Sequence, residues 1–143
     1  MLVKGNVTLA IVKPDAIEKS NDIVKVIQDN NFVVLSKKRL RLTRAQAERF
    51  YEIHKERPFF EELVNFMISD DVVVIALEKK DAVKSYRTLI GDTDPAEAKL
   101  GTIRKMFGTS KGENAVHGSD SDENALVEIK FFFPESFMFD CYF

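Results

Sequence analysis

The sequence predicts an α/β (α+β) fold, a ferredoxin-like βαββαβ sandwich in which helices lie over a four-stranded antiparallel sheet. Short apolar runs typical of buried strands alternate with segments whose apolar residues recur every three or four positions, as in amphipathic helices. This alternation favours one sheet covered by helices, and the connection lengths suit the split βαβ arrangement. The chain of 143 residues is expected to form a single domain, residues 1–143, that needs no disulfide or metal for stability.

The first predicted strand and helix follow from an apolar run and a capping residue. Val7–Val12 is apolar on both faces apart from Thr8, as in a central strand that is covered on both sides. Ser20 is expected to cap the next helix, because a serine side chain can accept a hydrogen bond from a free N–H of the first turn. The inward stripe of this helix is expected to be Ile23, Val26 and Ile27.

A second strand is predicted to begin at Phe32–Leu35 and to run into a basic stretch. This stretch contains Lys37, Lys38, Arg39 and Arg41. We interpret it as the solvated end of the strand, with a nucleic-acid-binding patch as the alternative. A net charge of −2 favours the first interpretation, because the chain has no overall positive field to attract a polyanion.

Two helices and a third strand are predicted in the middle of the chain. Thr43 and Gln46 fit a capping box that opens a helix running to about His54. A further helix is predicted over Phe59–Ile68, and the unbroken apolar run Val72–Leu77 predicts the third strand. The core positions of the second helix are expected to be Phe60, Leu63 and Met67.

The last third of the chain is predicted to carry two helices around a long irregular segment. The first helix starts at Asp81 and ends at Gly91. Residues 92–113 show no periodic pattern, and a connection of this length in a compact domain is usually functional or disordered. Ala115 and Val116 predict a short fourth strand, and Ser121 is expected to cap the final helix.

Composition and missing motifs exclude several classes of protein. The chain has 45% hydrophobic and 31% charged residues, as a soluble globular domain does, and Cys141 is its only cysteine. It contains no P-loop, no GxGxxG dinucleotide motif and no Cys pair or HExxH arrangement for zinc. Neither a signal peptide nor an apolar stretch long enough to span a membrane is found, so we expect no membrane association and a cytoplasmic location.

His117 is the candidate nucleophile, although a lone histidine at a strand end is more often structural. Histidine rings are mostly unprotonated at pH 7, so they need no base before attacking a phosphate. Gly118 suggests an unusual backbone, and Ser119–Ser121 place hydroxyls and a carboxylate at a helix start that favours anions. Glu128, on the final helix, could orient one ring nitrogen; the alternative is a solvent-facing glutamate.

A few cations and one aromatic residue are candidates for binding a phosphate-containing ligand. Planar arginines bind phosphate through charge-assisted hydrogen bonds, although any single cation is more often an ordinary surface charge. The candidate cations are Lys13, Arg57, Arg87 and Arg104. Phe59 and Phe60 are adjacent at a predicted helix start, so one can face the core while the other is exposed for stacking against a base.

Several motifs together resemble nucleoside diphosphate kinases, most closely those of the bacterial type. The resemblance covers almost the whole chain, in the order and at the spacings of that family. It rests on Ala10–Asp15, Tyr51, His54–Phe60, Gly91–Pro95, Gly101–Arg104 and Asn114–Ser121.

The resemblance implies a catalytic group around His117, which matches the histidine that becomes phosphorylated. Glu128 and Ser119 match the residues that support this histidine, and Tyr51 matches a tyrosine whose hydroxyl approaches the phosphate. Such an enzyme transfers the γ-phosphate of a nucleoside triphosphate, usually ATP, to nucleoside diphosphates by a ping-pong mechanism. The alternative is a catalytically weak nucleotide-binding or scaffolding relative.

The resemblance also implies a nucleotide-binding group. Lys13 and Asn114 match residues that bind the sugar hydroxyls, with Lys13 also reaching toward the transferred phosphate, and Phe59 matches the aromatic residue on which the base stacks. The phosphate clamp is matched by Arg87, Thr93 and Arg104. Family members carry Mg²⁺ in with the nucleotide phosphates and not on protein ligands, and they form hexamers or tetramers, so a homo-oligomer is expected.

Some positions depart from the common family pattern. Glu113 stands where many members carry arginine and is expected to weaken nucleotide affinity modestly, because it adds negative charge near a phosphate site. Ser69–Asp71 and the aromatic tail leave the form of the oligomer open. Phe131–Phe133 and the tail residues are expected either at a subunit contact or against their own domain. The tail residues concerned are Phe137, Phe139, Tyr142 and Phe143.

Overall fold

A four-stranded antiparallel sheet in the order β2–β3–β1–β4 lies at the centre of the protein, for which a computed structural model describes residues 2–134. The strands are β1 (Val7–Val12), β2 (Val33–Leu40), β3 (Val72–Glu78) and β4 (Val116–Gly118). The accompanying helices are α1 (Ser20–Asp29), α2 (Arg44–Phe50), α3 (Phe60–Met67), α4 (Ala82–Ile90), α5 (Ile103–Phe107) and α6 (Asp122–Phe132). This topology confirms the predicted ferredoxin-like fold.

Two apolar cores, one on each face of the sheet, bury β1 completely. Val7, Leu9 and Ile11 point into the core that α2, α3 and α6 cover. Ala10 and Val12 point into the core of α1, α4 and α5. Successive residues of a strand face opposite sides, so a strand between two cores must be apolar at almost every position. The predictions of buried strands at β1 and β3 are therefore confirmed.

The start of α1 differs from the prediction. Ser20 does not cap the helix, because it already lies in the first turn, and Lys19 precedes it without a side-chain cap. Residues Pro14–Lys19 form a 3₁₀-helix that leads directly into α1, and the N–H of Ser20 donates to the carbonyl of Ile17. Because the 3₁₀-helix runs into α1 without a break, Ser20 is not the residue that precedes the first turn. The inward stripe also shifts: Val24 is buried, whereas Val26 is only partly buried.

The basic stretch forms part of an edge strand. β2 continues to Leu40, so Lys37, Lys38 and Arg39 lie within the strand and are exposed. Arg39 and Arg41 pair with Asp71 at 2.8 and 3.4 Å, at the turn before β3. Charged side chains on a sheet edge discourage pairing with other strands. The interpretation as a solvated strand is confirmed, although the strand is longer than predicted.

The other helix boundaries agree with the sequence at their starts better than at their ends. Both halves of the Thr43–Gln46 capping box are present, and the Ser121 side chain accepts a hydrogen bond from the N–H of Asn124. However, α2 ends at Phe50, and residues 52–54 form a separate 3₁₀ turn. The segment predicted to be irregular contains the short helix α5, which Thr102 caps.

The core positions predicted for α3 are confirmed in part, and the end of α6 packs against its own domain. Met67 is buried, and Phe60 and Leu63 pack against the same core from partly buried positions. In α6 and just after it, Phe132 and Phe133 are buried in their own domain. The predictions for the aromatic tail lie outside the described residues. The residues concerned are Phe137, Phe139, Tyr142 and Phe143, and Cys141 lies there too. None of the helices within residues 2–134 has both the length and the apolar character needed to cross a membrane.

Close packing, and not an unusual backbone conformation, explains why position 118 is a glycine. The expectation of an unusual conformation is wrong, because its φ lies outside the left-handed region and it continues β4. A Cβ added at this position would lie 2.9 Å from Cδ2 of Tyr86 and 3.2 Å from Cδ1 of Ile90. Both side chains belong to α4, so the absence of a side chain at Gly118 allows that helix to approach the strand closely.

Replacing Gly118 by alanine should therefore destabilise the fold. We expect Gly118→Ala to lower the free energy of unfolding by about 1–3 kcal/mol, because the buried Tyr86 and Ile90 must move. The matched control is Gly112→Ala, where a Cβ would meet no atom within 4 Å. That control should stay within about 0.5 kcal/mol of the parent protein in urea unfolding. Equal stabilities of the two variants would contradict the packing argument.

Candidate active site

A chain of hydrogen bonds connects His117 to the centre of the sheet. The Nε2 atom of His117, on β4, lies 2.8 Å from Oε1 of Glu128 on α6. The hydroxyl of Ser119 donates to the same carboxylate oxygen at 2.8 Å. In turn, the backbone N–H of Leu9 on β1 donates to the Ser119 hydroxyl at 3.1 Å. Because Leu9 and Ser119 are fully buried, the core fixes the position of the carboxylate.

This arrangement determines which nitrogen of His117 can react. An ionised carboxylate can only accept hydrogen bonds, so Nε2 carries the hydrogen that it shares with Glu128. The neutral ring then has its unprotonated lone pair on Nδ1. The side chain is 18% exposed, so part of the ring remains open to solvent. The ring is thus held through Nε2 by a carboxylate, with Nδ1 as its free nitrogen.

Two aromatic residues at the end of α2 complete the surroundings of the histidine. Phe50 contacts the His117 ring edge-to-face, with 5.5 Å between ring centroids. Tyr51 is buried next to Phe50, and its hydroxyl has no hydrogen-bond partner within residues 2–134. Burial raises the pKa of Tyr51, and the negative charge of Glu128 raises it further. The Tyr51 hydroxyl therefore remains a protonated donor that a bound ligand could use.

Lys13 and Asn114 form a pair at the end of β1. The ammonium group of Lys13 donates to Oδ1 of Asn114 at 2.9 Å, and Nδ2 of Asn114 donates to the carbonyl of Thr93 at 3.1 Å. Burial lowers the pKa of Lys13 to about 8; the charge of Arg104 lowers it further and that of Asp15 opposes the shift. The ammonium group of Lys13 is therefore poorly solvated.

A tight turn connects Asn114 to the strand of the histidine. Ala115 has a φ of 74°, and the N–H of Val116 donates to the carbonyl of Asn114 at 2.9 Å across it. Such a three-residue turn is strained for a residue with a side chain. The Asp15 carboxylate accepts from the N–H of Ala115 at 3.0 Å, and the Ala115 carbonyl accepts from the N–H of Lys13 at 2.8 Å. Burial raises the pKa of Asp15, and this N–H opposes the rise.

The predicted arginines bind the backbone on both sides of His117. Arg104 is buried and donates to the carbonyl of Val116 at 3.0 Å and to that of Gly91 at 3.2 Å. Arg87 is exposed and donates to the carbonyl of Gly118 at 3.4 Å. The Nε of Arg104 has no partner among the described residues, and burial lowers the pKa of this guanidinium. Two cations are thus attached to the strand that carries the histidine.

An open cleft of about 620 Å³ adjoins this group. Phe59 is 45% exposed on one side of the cleft, whereas Phe60 faces the core. The sequence predicted that one of these two adjacent rings would face the core and the other would be exposed. Lys13 also lines the cleft. The other lining residues are Glu62, Leu63, Phe66, Ser110, Lys111, Gly112 and Glu113. A ligand in this cleft can contact an aromatic face and a cation at the same time.

Not every predicted residue faces the histidine. Asp120 accepts from the side chain of Asn124, and Ser121 caps α6, so both serve the helix start. Within residues 2–134, the Arg57 side chain makes no hydrogen bond or ion pair with the group, and Thr93 contributes its backbone carbonyl. The contact of Phe50 with His117 and the hydrogen bonds of Asp15 and Ala115 were not predicted from the sequence. Among the described residues, no cluster of His, Cys, Asp or Glu could hold a metal ion.

Comparisons with known proteins agree with this geometry. Residues 6–138 match the sequence profile of the nucleoside diphosphate kinase family. A nucleoside diphosphate kinase from Erythrobacter litoralis is 54% identical over 130 residues, which cover 90% of this chain and 93% of that protein. One from Phenylobacterium zucineum is 54% identical over 130 residues, with coverages of 90% and 94%.

Solved structures show the same relationship. The nucleoside diphosphate kinase of Aquifex aeolicus superposes with a TM-score of 0.84 at 48% identity, covering 90% of this chain and 94% of that one. The nucleoside diphosphate kinase of Encephalitozoon cuniculi gives a TM-score of 0.87 at 36% identity, with coverages of 92% and 90%. The chain therefore belongs to the nucleoside diphosphate kinase family, and it is an enzyme that transfers phosphate between nucleotides.

Proposed function

We propose that the transfer passes through a phosphohistidine at His117, with a nucleoside triphosphate, usually ATP, as donor and nucleoside diphosphates as acceptors. The observation that carries this proposal is the hydrogen-bonded chain from Leu9 through Ser119 and Glu128 to Nε2. It leaves Nδ1 as the free nucleophile. An intact histidine, lysine and pair of arginines disfavour the alternative of a catalytically weak relative.

The first half-reaction forms one bond and breaks one. Nδ1 of His117 attacks the γ-phosphorus of the triphosphate, and the bond from this phosphorus to the bridging oxygen breaks, so the electron pair leaves on the diphosphate. The ring gains positive charge while Nε2 keeps its hydrogen, and the Glu128 carboxylate stabilises that charge. In the second half-reaction, a terminal oxygen of another diphosphate attacks the same phosphorus and releases the ring, giving ping-pong kinetics.

The cations around the histidine offset the charge of the moving phosphoryl group. Arg87 and Arg104 keep unused N–H groups beyond the carbonyls they bind, and Lys13 can donate two further hydrogen bonds. Preorganised donors of this kind stabilise the charge that spreads over the equatorial oxygens in an in-line transfer. The Tyr51 hydroxyl, which has no hydrogen-bond partner within residues 2–134, is proposed to donate to the phosphate near His117. Thr93 is proposed to complete the clamp.

The nucleotide is proposed to lie along the cleft, with its base on Phe59 and its sugar near Lys13 and Asn114. Stacking contributes about 1–3 kcal/mol per base and depends little on base identity, since every base has a π face. The cleft is therefore expected to accept nucleotides with different bases. Mg²⁺ is proposed to enter with the nucleotide, and when bound it would neutralise part of the negative charge of the phosphates. The absence of a carboxylate or imidazole cluster within residues 2–134 fits an ion that the substrate holds.

Assembly and location are proposed from the sequence resemblance and the sequence itself. We expect a homo-oligomer, either a hexamer or a tetramer, in the cytoplasm. Light scattering of the purified protein measures the mass directly and distinguishes the two assemblies.

Labelling with γ-³²P-ATP tests the phosphate carrier. The wild-type enzyme should form an acid-labile, base-stable phosphoprotein, and His117→Gln should form none, because the carrier nitrogen is gone. The chain has two histidines, so His54→Gln is the matched control and should still be labelled at saturating ATP. Full labelling of His117→Gln would contradict the proposal.

Replacing Glu128 by glutamine tests the support of the ring. The variant keeps an oxygen near Nε2 but loses the negative charge that stabilises the phosphorylated ring. We expect the rate of phosphoenzyme formation in single-turnover experiments to fall about 10- to 100-fold, in line with a lost charge-assisted hydrogen bond. Glu123→Gln is the control, because Glu123 lies on the same helix but is exposed and pairs with Lys4 at 3.1 Å. Equal rates for both variants would refute the role of Glu128.

The lowered pKa of Lys13 predicts a loss of activity in mild alkali. Lys13 is charged below about pH 8 and neutral above it in the free enzyme, and the charged form is the one that attracts phosphate. The second-order rate constant for phosphorylation by ATP should therefore fall with a midpoint near pH 8. Lys13→Arg stays charged, so its profile should lack this fall even if its activity is lower. A fall near pH 8 that persists in Lys13→Arg would assign the titration to another group.

A further inference from the structure

Glu113 is a carboxylate in a cleft that is proposed to hold a nucleotide. It lines the cleft together with Lys13 and Phe59. A carboxylate repels the phosphates, so it can bind favourably only to hydrogen-bond donors of the ligand. A nucleotide carries such donors only on its sugar hydroxyls and on the edge of its base.

The backbone around Glu113 is firmly held. Its N–H donates to the Ser110 hydroxyl at 3.1 Å, and its carbonyl accepts from the N–H groups of Thr109 at 2.8 Å and Ser110 at 3.2 Å. Within residues 2–134, by contrast, the Glu113 carboxylate has no hydrogen bond or ion pair, although Lys13 and Lys111 line the same cleft. The loop thus presents an acceptor whose bonds are unused.

The side chains of Lys13 and Asn114 are already bonded to each other and to the backbone. Oδ1 of Asn114 already accepts from Lys13, and Nδ2 of Asn114 donates to Thr93, so this group offers mainly the remaining N–H donors of Lys13. A ribose has two neighbouring hydroxyls, each with a hydrogen to donate. Carboxylates are well suited to such hydroxyls, as the acidic residue that binds the ribose 2′-OH in dinucleotide-binding folds illustrates. Glu113 adjoins Asn114 in the chain and can supply an acceptor that has no other partner within residues 2–134.

A second carboxylate in the cleft, that of Glu62, lies on the base side. Glu62 follows Phe59 by three residues, so in α3 it projects from nearly the same helix face as the ring on which the base is proposed to stack. Glu113 lies close enough to Asp15 for its negative charge to act on that carboxylate, and it precedes Asn114 in the chain. The two carboxylates therefore face different parts of a bound nucleotide.

We propose that the Glu113 carboxylate accepts a hydrogen bond from the 2′-hydroxyl of the bound nucleotide and makes the enzyme favour ribonucleoside over 2′-deoxyribonucleoside diphosphates. This inference rests on the proposed phosphohistidine mechanism and on the sugar lying beside Lys13 and Asn114. It also gives the negative charge of Glu113 a role, since a general weakening of nucleotide binding would be offset for substrates that carry the 2′-hydroxyl.

Discharge of the ³²P-labelled phosphoenzyme tests the inference. The second-order rate constants are measured with GDP and 2′-deoxy-GDP, and again with ADP and 2′-deoxy-ADP. The wild-type enzyme should favour the ribose form by about 10-fold or more, as expected for a hydrogen bond to a charged group. The ratio should be the same for both bases, because the interaction is with the sugar. Glu113→Ala should bring the ratio within about twofold of one.

Glu62→Ala is the matched control, since it removes the other cleft carboxylate and should keep the wild-type ribose preference. A ratio near one in the wild-type enzyme, or an unchanged ratio in Glu113→Ala, would overturn the inference. So would a preference confined to one base. Failure of the proposed mechanism gives a different result, because no labelled enzyme would form and neither diphosphate would be phosphorylated.

Discussion

The reciprocal hydrogen bonds between the end of β1 and Ala115 are the interaction on which the site depends. The N–H of Lys13 donates to the Ala115 carbonyl, and the carboxylate of Asp15 accepts from the Ala115 N–H. They hold a strained turn with Asn114 on one side and the strand of His117 on the other. Strain of this kind costs about 1–3 kcal/mol and persists only where its surroundings fix it. One turn therefore sets the distance between the Asn114 side chain and the strand that carries His117.

Burial of positive charge is the second constraint. Lys13 and Arg104 both have lowered pKa values because they are removed from water, and Nε of Arg104 and the Tyr51 hydroxyl have no partner within residues 2–134. These groups cost stability while no ligand is present, since poorly solvated polar atoms lose hydrogen bonds to water. Within residues 2–134, the contacts of these groups therefore offset only part of the cost of removing them from water.

Periodicity and capping residues predicted most of the fold. Fully apolar runs identified β1 and β3 because both faces of those strands are covered, and Thr43 and Ser121 marked helix starts because their caps are local hydrogen bonds. The prediction that Ser20 caps α1 was wrong because a 3₁₀-helix runs directly into α1, which a pattern of side chains does not reveal. Helix α5 was not predicted because its five residues are too few to show a helical period. At the site, the resemblance supplied the polar residues, but Phe50 and Asp15 act through contacts that only the folded chain creates.

The attachment of both arginines to β4 affects how the site responds to thermal motion. Arg87 and Arg104 hold the carbonyls of Gly118 and Val116, the immediate neighbours of His117. Any displacement of this short strand therefore moves His117 together with the carbonyls that the two guanidinium groups bind. A substitution that shifts β4 is thus expected to disturb the histidine and both cations at once.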